Sequence, residues 1–412
     1  MGNHIHKAWR KEKGIREPPY LPLEILLDIF SRADPVTLVR CAAASKLLHH
    51  HITDPSFRRR LRDHAAEGFV PDLLVGMFFH HADEGRHFAP LPRPSAKLAL
   101  SLAAANGGDG SFGSYTFKPV ASRAGLVVLR RNRVRPDATS VLDLCVGNPV
   151  TGRYAFLPPA AVFGYSHVLL AGDEDDGTDT DDRSSSFRLL LLGGAHTQTF
   201  SSRTGGWGPV SKPFASLDLP DGSEIARCSA VVLRGVVAHW LYRVGDGPSS
   251  QGYGVVAVDA STGVAAAVEI PRHCLRRRRR EVKQELLLAR SAEGRLALLV
   301  AESLGIAMWT LSDADGGGSA SWARRLVVDR TRILGSVKLH CHPLGCVDTE
   351  LEWFGEASGT VLFQVNGAGI LLLNLHTGEI SQFSQGGMIN RSLRCCPYEM
   401  DLVSVLAAMK SF

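Results

Sequence analysis

Few residues in this chain have the types and spacing that chemistry demands. A serine hydrolase needs its nucleophile on a sharp strand-to-helix turn, and no Gly-x-Ser-x-Gly frame occurs; Gly113-Ser114-Tyr115 and Gly164-Tyr165-Ser166 lack it. Phosphate transfer on a glycine-rich loop needs a following Lys-Ser/Thr and a helix, and Ala314-Asp315-Gly316-Gly317-Gly318-Ser319 has neither. The one metal-like cluster is His340-Cys341-His342 with Cys346. On a strand the two histidines share a face while Cys341 points away, Cys346 lies beyond Pro343, and no second pair completes a zinc set. A strand edge and turn is the better reading. His49, His50 and His51, adjacent on a helix, point in different directions and cannot face one ion. Cys395 and Cys396 are adjacent, too constrained for an ordinary disulfide. These residues predict no catalytic set, no metal and no cofactor.

Two charge runs remain. Asp173, Glu174, Asp175, Asp176, Asp179, Asp181 and Asp182 fall in a stretch, 171–186, with almost no apolar residue, too little to repay its ordering entropy. It reads as a disordered acidic loop, since the frame and distal Glu of a calcium-binding EF-hand loop are missing. Arg276, Arg277, Arg278, Arg279 and Arg280 read as an exposed loop or helix face, with nuclear import and phosphate binding as the functional alternatives. No aromatics interleave with them, so nucleic-acid binding is not expected. The chain's entire net charge of +5 sits in residues 1–64, where twelve Lys and Arg face seven Asp and Glu.

The elements that would carry these residues divide the chain. At 412 residues, 45% apolar and 21% charged, it has ample material for a core and too little charge for wholesale disorder. Eight cysteines are scattered, and the first twenty residues hold no apolar leader, so a reducing compartment, cytoplasmic and/or nuclear, is expected. Gly2 is followed by His6 where myristoylation wants Ser or Thr, and no apolar run reaches the ~20 residues of a membrane span. Residues 20–66 read as four short helices. Leu21-Pro22 opens the first, Asp34-Pro35 and Ser45 start the next two, and Asp54-Pro55 starts the last. So small a module offers little core, and its surplus apolar positions need covering.

The run from Leu21 to Phe30, then Asp34 to Cys41, Ser45-Lys46, and Ile52 to Phe57 resembles the F-box. That resemblance implies docking on an SKP-type adaptor, and through it on a cullin-RING ubiquitin ligase. It assigns adaptor contacts to Leu21, Pro22, Ile25, Leu26, Ile29, Leu38, Val39, Lys46 and Leu47. Leu48 stands where the family usually has tryptophan, a loss of contact area that would weaken adaptor docking by roughly one to two kcal/mol.

Beyond Pro90 the texture changes to short apolar runs broken by Gly, Asp, Ser and Pro, the pattern of a many-stranded β domain. Turns at Gly107-Gly108, Thr151-Gly152, Thr204-Gly205, Thr262-Gly263, Gly316-Gly317 and Thr377-Gly378 recur every 45 to 60 residues or so, the interval of propeller blades. Three of these turns follow an apolar strand and an Asp or Asn, at Asp143, Asp259 and Asn374. Strand pairs of this kind hide their apolar faces only by stacking on the next copy. The segments Cys145 to Arg153, Gly235 to Tyr242 and Met400 to Phe412 resemble the repeat domain that follows the F-box in many plant proteins, notably a grass group.

The expected architecture is a multidomain α + β chain: a basic flexible tail (1–19), an all-α F-box module (20–66), a linker (67–95), and an all-β, kelch-like propeller of about six units (96–412). The resemblance implies a non-catalytic substrate-recognition subunit of an SKP-cullin-F-box ubiquitin ligase that captures an unknown target protein. The alternatives are a ligand- or glycan-binding propeller and an F-box scaffold without ubiquitylation.

Overall fold

Capping residues set where the first helices begin. The computed structural model describes residues 21–66, 68–81, 85–105, 117–134, 140–171, 186–217, 219–220, 223–225, 230–244, 252–270, 285–312, 321–337, 349–365, 369–384 and 394–409. Four helices open it: α1 (Leu23–Ser31), α2 (Pro35–Ala44), α3 (Lys46–Thr53) and α4 (Pro55–Ala66). Asp34 Oδ1 accepts from the backbone N–H groups of Val36 and Thr37, both at 3.0 Å, and Pro35 fills the position that needs no donor. Ser45 caps α3 and Asp54 accepts from Ser56 N–H at 2.8 Å. Pro22 sits one residue earlier than expected, at the N-cap of α1. Asp34→Ala should lower the unfolding free energy by about 1 kcal/mol, measured by urea titration, because two helix N–H groups lose their acceptor.

Among the described residues, twenty-four strands and three further α-helices follow. The first two strands are β1 (Leu74–His81) and β2 (Gly85–Pro90), followed by α5 (Pro94–Ala105). Five four-layered blades come next. They are β3 (Lys118–Arg123), β4 (Leu126–Val134), β5 (Ser140–Asn148) and β6 (Arg153–Phe156); then β7 (Ser166–Ala171), β8 (Phe187–Gly193), β9 (His196–Ser201) and β10 (Gly206–Trp207). The third blade holds β11 (Glu224–Ile225) and β12 (Val231–Leu233), which share one position beside β13 (Val237–Val244), then β14 (Gly252–Asp259) and β15 (Ala265–Glu269). The fourth has β16 (Leu286–Arg290), β17 (Leu296–Glu302), β18 (Gly305–Ser312) and β19 (Ser321–Asp329), with α6 (Arg330–Ser336) after it; the fifth has β20 (Thr349–Phe354), β21 (Thr360–Val365), β22 (Gly369–Asn374) and β23 (Ile380–Ser384). Finally β24 (Arg394–Glu399) returns to pair with β1, closing a sixth blade in the order β2-β1-β24 before α7 (Leu402–Ala408).

The innermost strands touch around the axis: β24 meets β3, β3 meets β7, β12 meets β16, β16 meets β20 and β20 meets β24. The chain is thus a short helical module followed by a six-bladed β-propeller. Apolar clusters fill the gaps between blades, with fully buried Trp240 packed between the second and third and its indole N–H donating to Ser166 Oγ at 2.9 Å.

The Thr-Gly turns of the sequence are the hairpins between third and outer strands. Asn148, Asp259 and Asn374 each accept two backbone N–H bonds across their own turn. Each turn ends in a left-handed glycine, Gly152, Gly263 or Gly378, with φ between 69° and 72°.

The expected linker is corrected. Residues 67–95 contain a 3-10 turn (Pro71–Leu73), both outer strands of the closing blade and the first turn of α5. Leu74, Met77 and Phe78 are apolar because they form a blade whose inner strand lies at the other end of the chain, with Leu74 opposite Glu399. Gly76 is required there: a Cβ would collide with the Phe88 ring and the Ala89 carbonyl. Ahead of β3, α5 buries Ala96, Ala99 and Ala103 on one stripe. Residues 1–20, the acidic run, Arg276–Arg280 and the His340–Cys346 cluster lie outside the described residues.

Candidate functional site

The four N-terminal helices divide their apolar residues between two surfaces. Leu38 and Val39 on α2, Ile52 on α3, and Phe57 and Leu61 on α4 are buried in one cluster with Leu74, Phe78, Ala99, Tyr398 and Leu406 of the propeller and its flanking helices. The small module is covered by its own chain on this side. Leu21 just ahead of α1, Ile25 and Ile29 on it, and Leu47 on α3 stand 42%, 48%, 49% and 64% exposed. Isolated exposed leucines are ordinary, but four large apolar side chains left open in so small a module stand out. Pro22 and Lys46 are also exposed and Leu26 is half-buried.

Two of the nine contacts implied by the F-box resemblance are therefore corrected. Leu38, fully buried, and Val39, 6% exposed, belong to the intramolecular core. Helical periodicity identifies apolar positions but cannot say which neighbour covers them. Leu48 likewise packs against the shared core, so its substitution for an aromatic is felt within the chain. Among the described residues no group of three or more His, Cys, Asp and Glu side chains could hold a metal, and no helix is long and apolar enough to cross a membrane.

At the propeller axis lies a polar hub with no sequence signature. Arg123, ending β3, donates from Nε to Glu356 Oε2 at 2.8 Å and from Nη1 to the Leu169 carbonyl of β7 at 3.4 Å. Glu356, just past β20, also accepts from the Val232 N–H of β12 at 2.9 Å. Arg290, ending β16, donates to the backbone carbonyls of Glu356 (2.7 Å) and Gly68 (3.2 Å), and its guanidinium lies 5.1 Å from the centre of the Phe69 ring. Glu399, ending β24, accepts from Ala357 N–H (3.1 Å) and Ser358 N–H (2.7 Å). All six blades contribute. Burial pushes the Glu399 carboxyl up against the opposing pull of those bonds, and burial pushes the Arg290 guanidinium down while Glu356 and Glu399 hold it up.

The hub does mechanical work. Gly68 and Phe69 are the first described residues after the helical module, and Val70 N–H donates to the Ala357 carbonyl at 2.9 Å. The exit of the module is anchored where the inner strands end, and β1 and α7 start at the same end.

A helical module with exposed apolar residues, packed on a six-bladed propeller, defines the class as an F-box-like protein with a propeller-like partner domain. Residues 111–412 match a family described as domain of unknown function DUF7595, and residues 19–64 match the F-box-like family. The chain belongs to the DUF7595 family, with an F-box-like module in front. No curated protein matches it. Similar solved structures include a Mycobacterium tuberculosis puromycin-hydrolyzing peptidase (12% identity, TM-score 0.36, covering 66% of this chain and 39% of that one). A puromycin hydrolase (14%, TM-score 0.38, 77% and 42%) and a putative 6-phosphogluconolactonase from Bacteroides uniformis (11%, TM-score 0.31, 79% and 97%) are others. The chain thus spans less than half the length of the two puromycin-cleaving proteins, and likenesses with TM-scores this low transfer nothing to it.

Proposed function

We propose that this chain is the substrate-recognition subunit of an SKP-cullin-F-box ubiquitin ligase. The F-box-like helices bind the adaptor through Leu21, Pro22, Ile25, Leu26, Ile29, Lys46 and Leu47, and the propeller holds a target protein. The exposed apolar residues Leu21, Ile25, Ile29 and Leu47 carry the reading: among the described residues of the module the other large apolar side chains are buried or half-buried. The chain's own contribution is non-catalytic. Holding a target beside a conjugating enzyme converts a chance encounter into an effectively intramolecular reaction. The grass-type ancestry and the cytoplasmic or nuclear location expected from the sequence, with Arg276–Arg280 as import signal, belong to the same proposal.

The test is capture on a purified SKP-type adaptor. Ile25→Asp combined with Leu47→Asp should weaken binding about a hundredfold or more, since two half-exposed side chains lose their burial and gain charge. Both positions are exposed, so circular dichroism and thermal midpoint should stay near wild type. Failure of the wild-type chain to bind, or undiminished binding by the double variant, removes the ligase reading.

A further inference from the structure

The four helices of the N-terminal module run 8 to 12 residues, short enough to be marginal in water when isolated. Among the described residues, their apolar core is not theirs alone. Leu38, Val39, Ala42, Ile52, Phe57 and Leu61 belong to one buried cluster with Leu74, Met77 and Phe78 of β1 and with Val403, Val405 and Leu406 of α7. α7 touches both α3 and α4, and α5 touches α2. Val403, Val405 and Leu406 are 5%, 2% and 0% exposed, so α7 is buried on more than one side, as a helix wedged between two bodies must be.

α7 reaches that seat by way of the ring. It follows β24 directly, and β24 holds its place by pairing with β1, the strand entered from the module. Three bonds fix the point where strand becomes helix. Met400 N–H donates to the Leu73 carbonyl at 2.8 Å, Gly125 N–H to the Glu399 carbonyl at 3.2 Å, and the Tyr398 hydroxyl to the Gly125 carbonyl at 3.1 Å. Gly125 sits at φ 73°, and a Cβ there would lie 2.7 Å from that of Asp401. Asp401 then caps α7, accepting from Ser404 N–H at 3.0 Å. α7 is therefore aimed at the module only when β24, β1 and the β3–β4 hairpin are assembled.

We infer that α7 is a clasp: the module keeps its fold, and with it the open side chains of Leu21, Ile25, Ile29 and Leu47, only while the ring is closed and α7 lies against α3 and α4. A chain with an open ring, or one without α7, then has no adaptor-binding surface to offer. That consequence rests on the ligase reading, whereas the coupling itself does not. The test follows backbone hydrogen exchange by mass spectrometry in the full chain. Leu406→Ala leaves a cavity in the shared cluster, and exchange in α3 and α4 should quicken about tenfold or more while the strands of blades two to four keep their wild-type rates. Removing residues 402–412 should abolish protection of α1 to α4 and cut capture on a purified SKP-type adaptor at least tenfold. Unchanged exchange in α3 and α4 of Leu406→Ala, or equal acceleration in blades two to four, overturns the clasp. So does adaptor capture that the removal leaves undiminished. Protection lost from a module whose wild type never binds the adaptor supports the clasp and removes only the ligase reading.

Discussion

Glu356→Ala should lower the unfolding free energy of this chain by about 3 kcal/mol or more, with β structure lost at correspondingly lower urea. The Glu356 carboxylate is the counter-ion of Arg123, their side chains being 16% and 23% exposed, and it also satisfies the Val232 N–H. Truncation strands a largely desolvated cation and an unpaired donor together. The partial exposure of Arg123 lets water repay some of that, which places the effect at the low end of the roughly 3–5 kcal/mol for breaking a buried pair. Glu356→Gln keeps an acceptor for Val232 and should cost less. Removing Arg123 in the Glu356→Ala background should cost less again than removing it from the wild type, since the two act as a pair. A loss below about 1 kcal/mol would show that blade stacking alone closes the ring.

Acid should expose the second large effect. His167 is 7% exposed between the first two blades, its Nε2 finds no hydrogen-bond partner among the described residues, and burial with nearby Arg130 pushes its pKa down to about 3. The unfolded chain then binds a proton that the folded chain refuses. Stability from this group is complete above pH 6.5 and is lost as pH falls toward 3, at about 1.4 kcal/mol per pH unit. Glu352 opposes it. Burial, and then Glu350, raise its pKa to about 7, so its contribution is complete below 4.5 and lost as pH rises through 7. The two slopes offset one another between pH 4.5 and 6.5, and His167 acts alone below. In His167→Leu the histidine's share of the pH dependence should disappear: the stability difference from wild type, read by urea titration at successive pH values, should shift by about 1.4 kcal/mol per unit below 6.5. A pH-independent difference would mean that the imidazole is charged in the fold.

The helical module was legible because its signals act over a few residues. Asp34 reaches Val36 and Thr37, Ser45 reaches Leu48, and the helices start within a residue of where those caps place them. The repeated Asx and Thr-Gly turns were legible for the same reason, and their interval disclosed the blades. Four of the expected surface contacts, Leu21, Ile25, Ile29 and Leu47, are the module's prominent exposed apolar residues. Leu38 and Val39 have the same chemistry and helical spacing yet are buried, because the propeller lies over them.

The sequence by itself determined the helix starts, the hairpin turns and the apolar strands, all of which are fixed by neighbours a few residues away. Tertiary structure alone decided which strands close the ring, which apolar face stays open and where charge is buried. Residues 67–95 form two strands of a three-stranded blade because β24 pairs with β1 from the far end, and Glu356 matters because Arg123, 233 residues away, is delivered to it where the inner strands end. Such partners meet only after closure, and no local period or cap encodes a pairing whose geometry is set by all six blades at once.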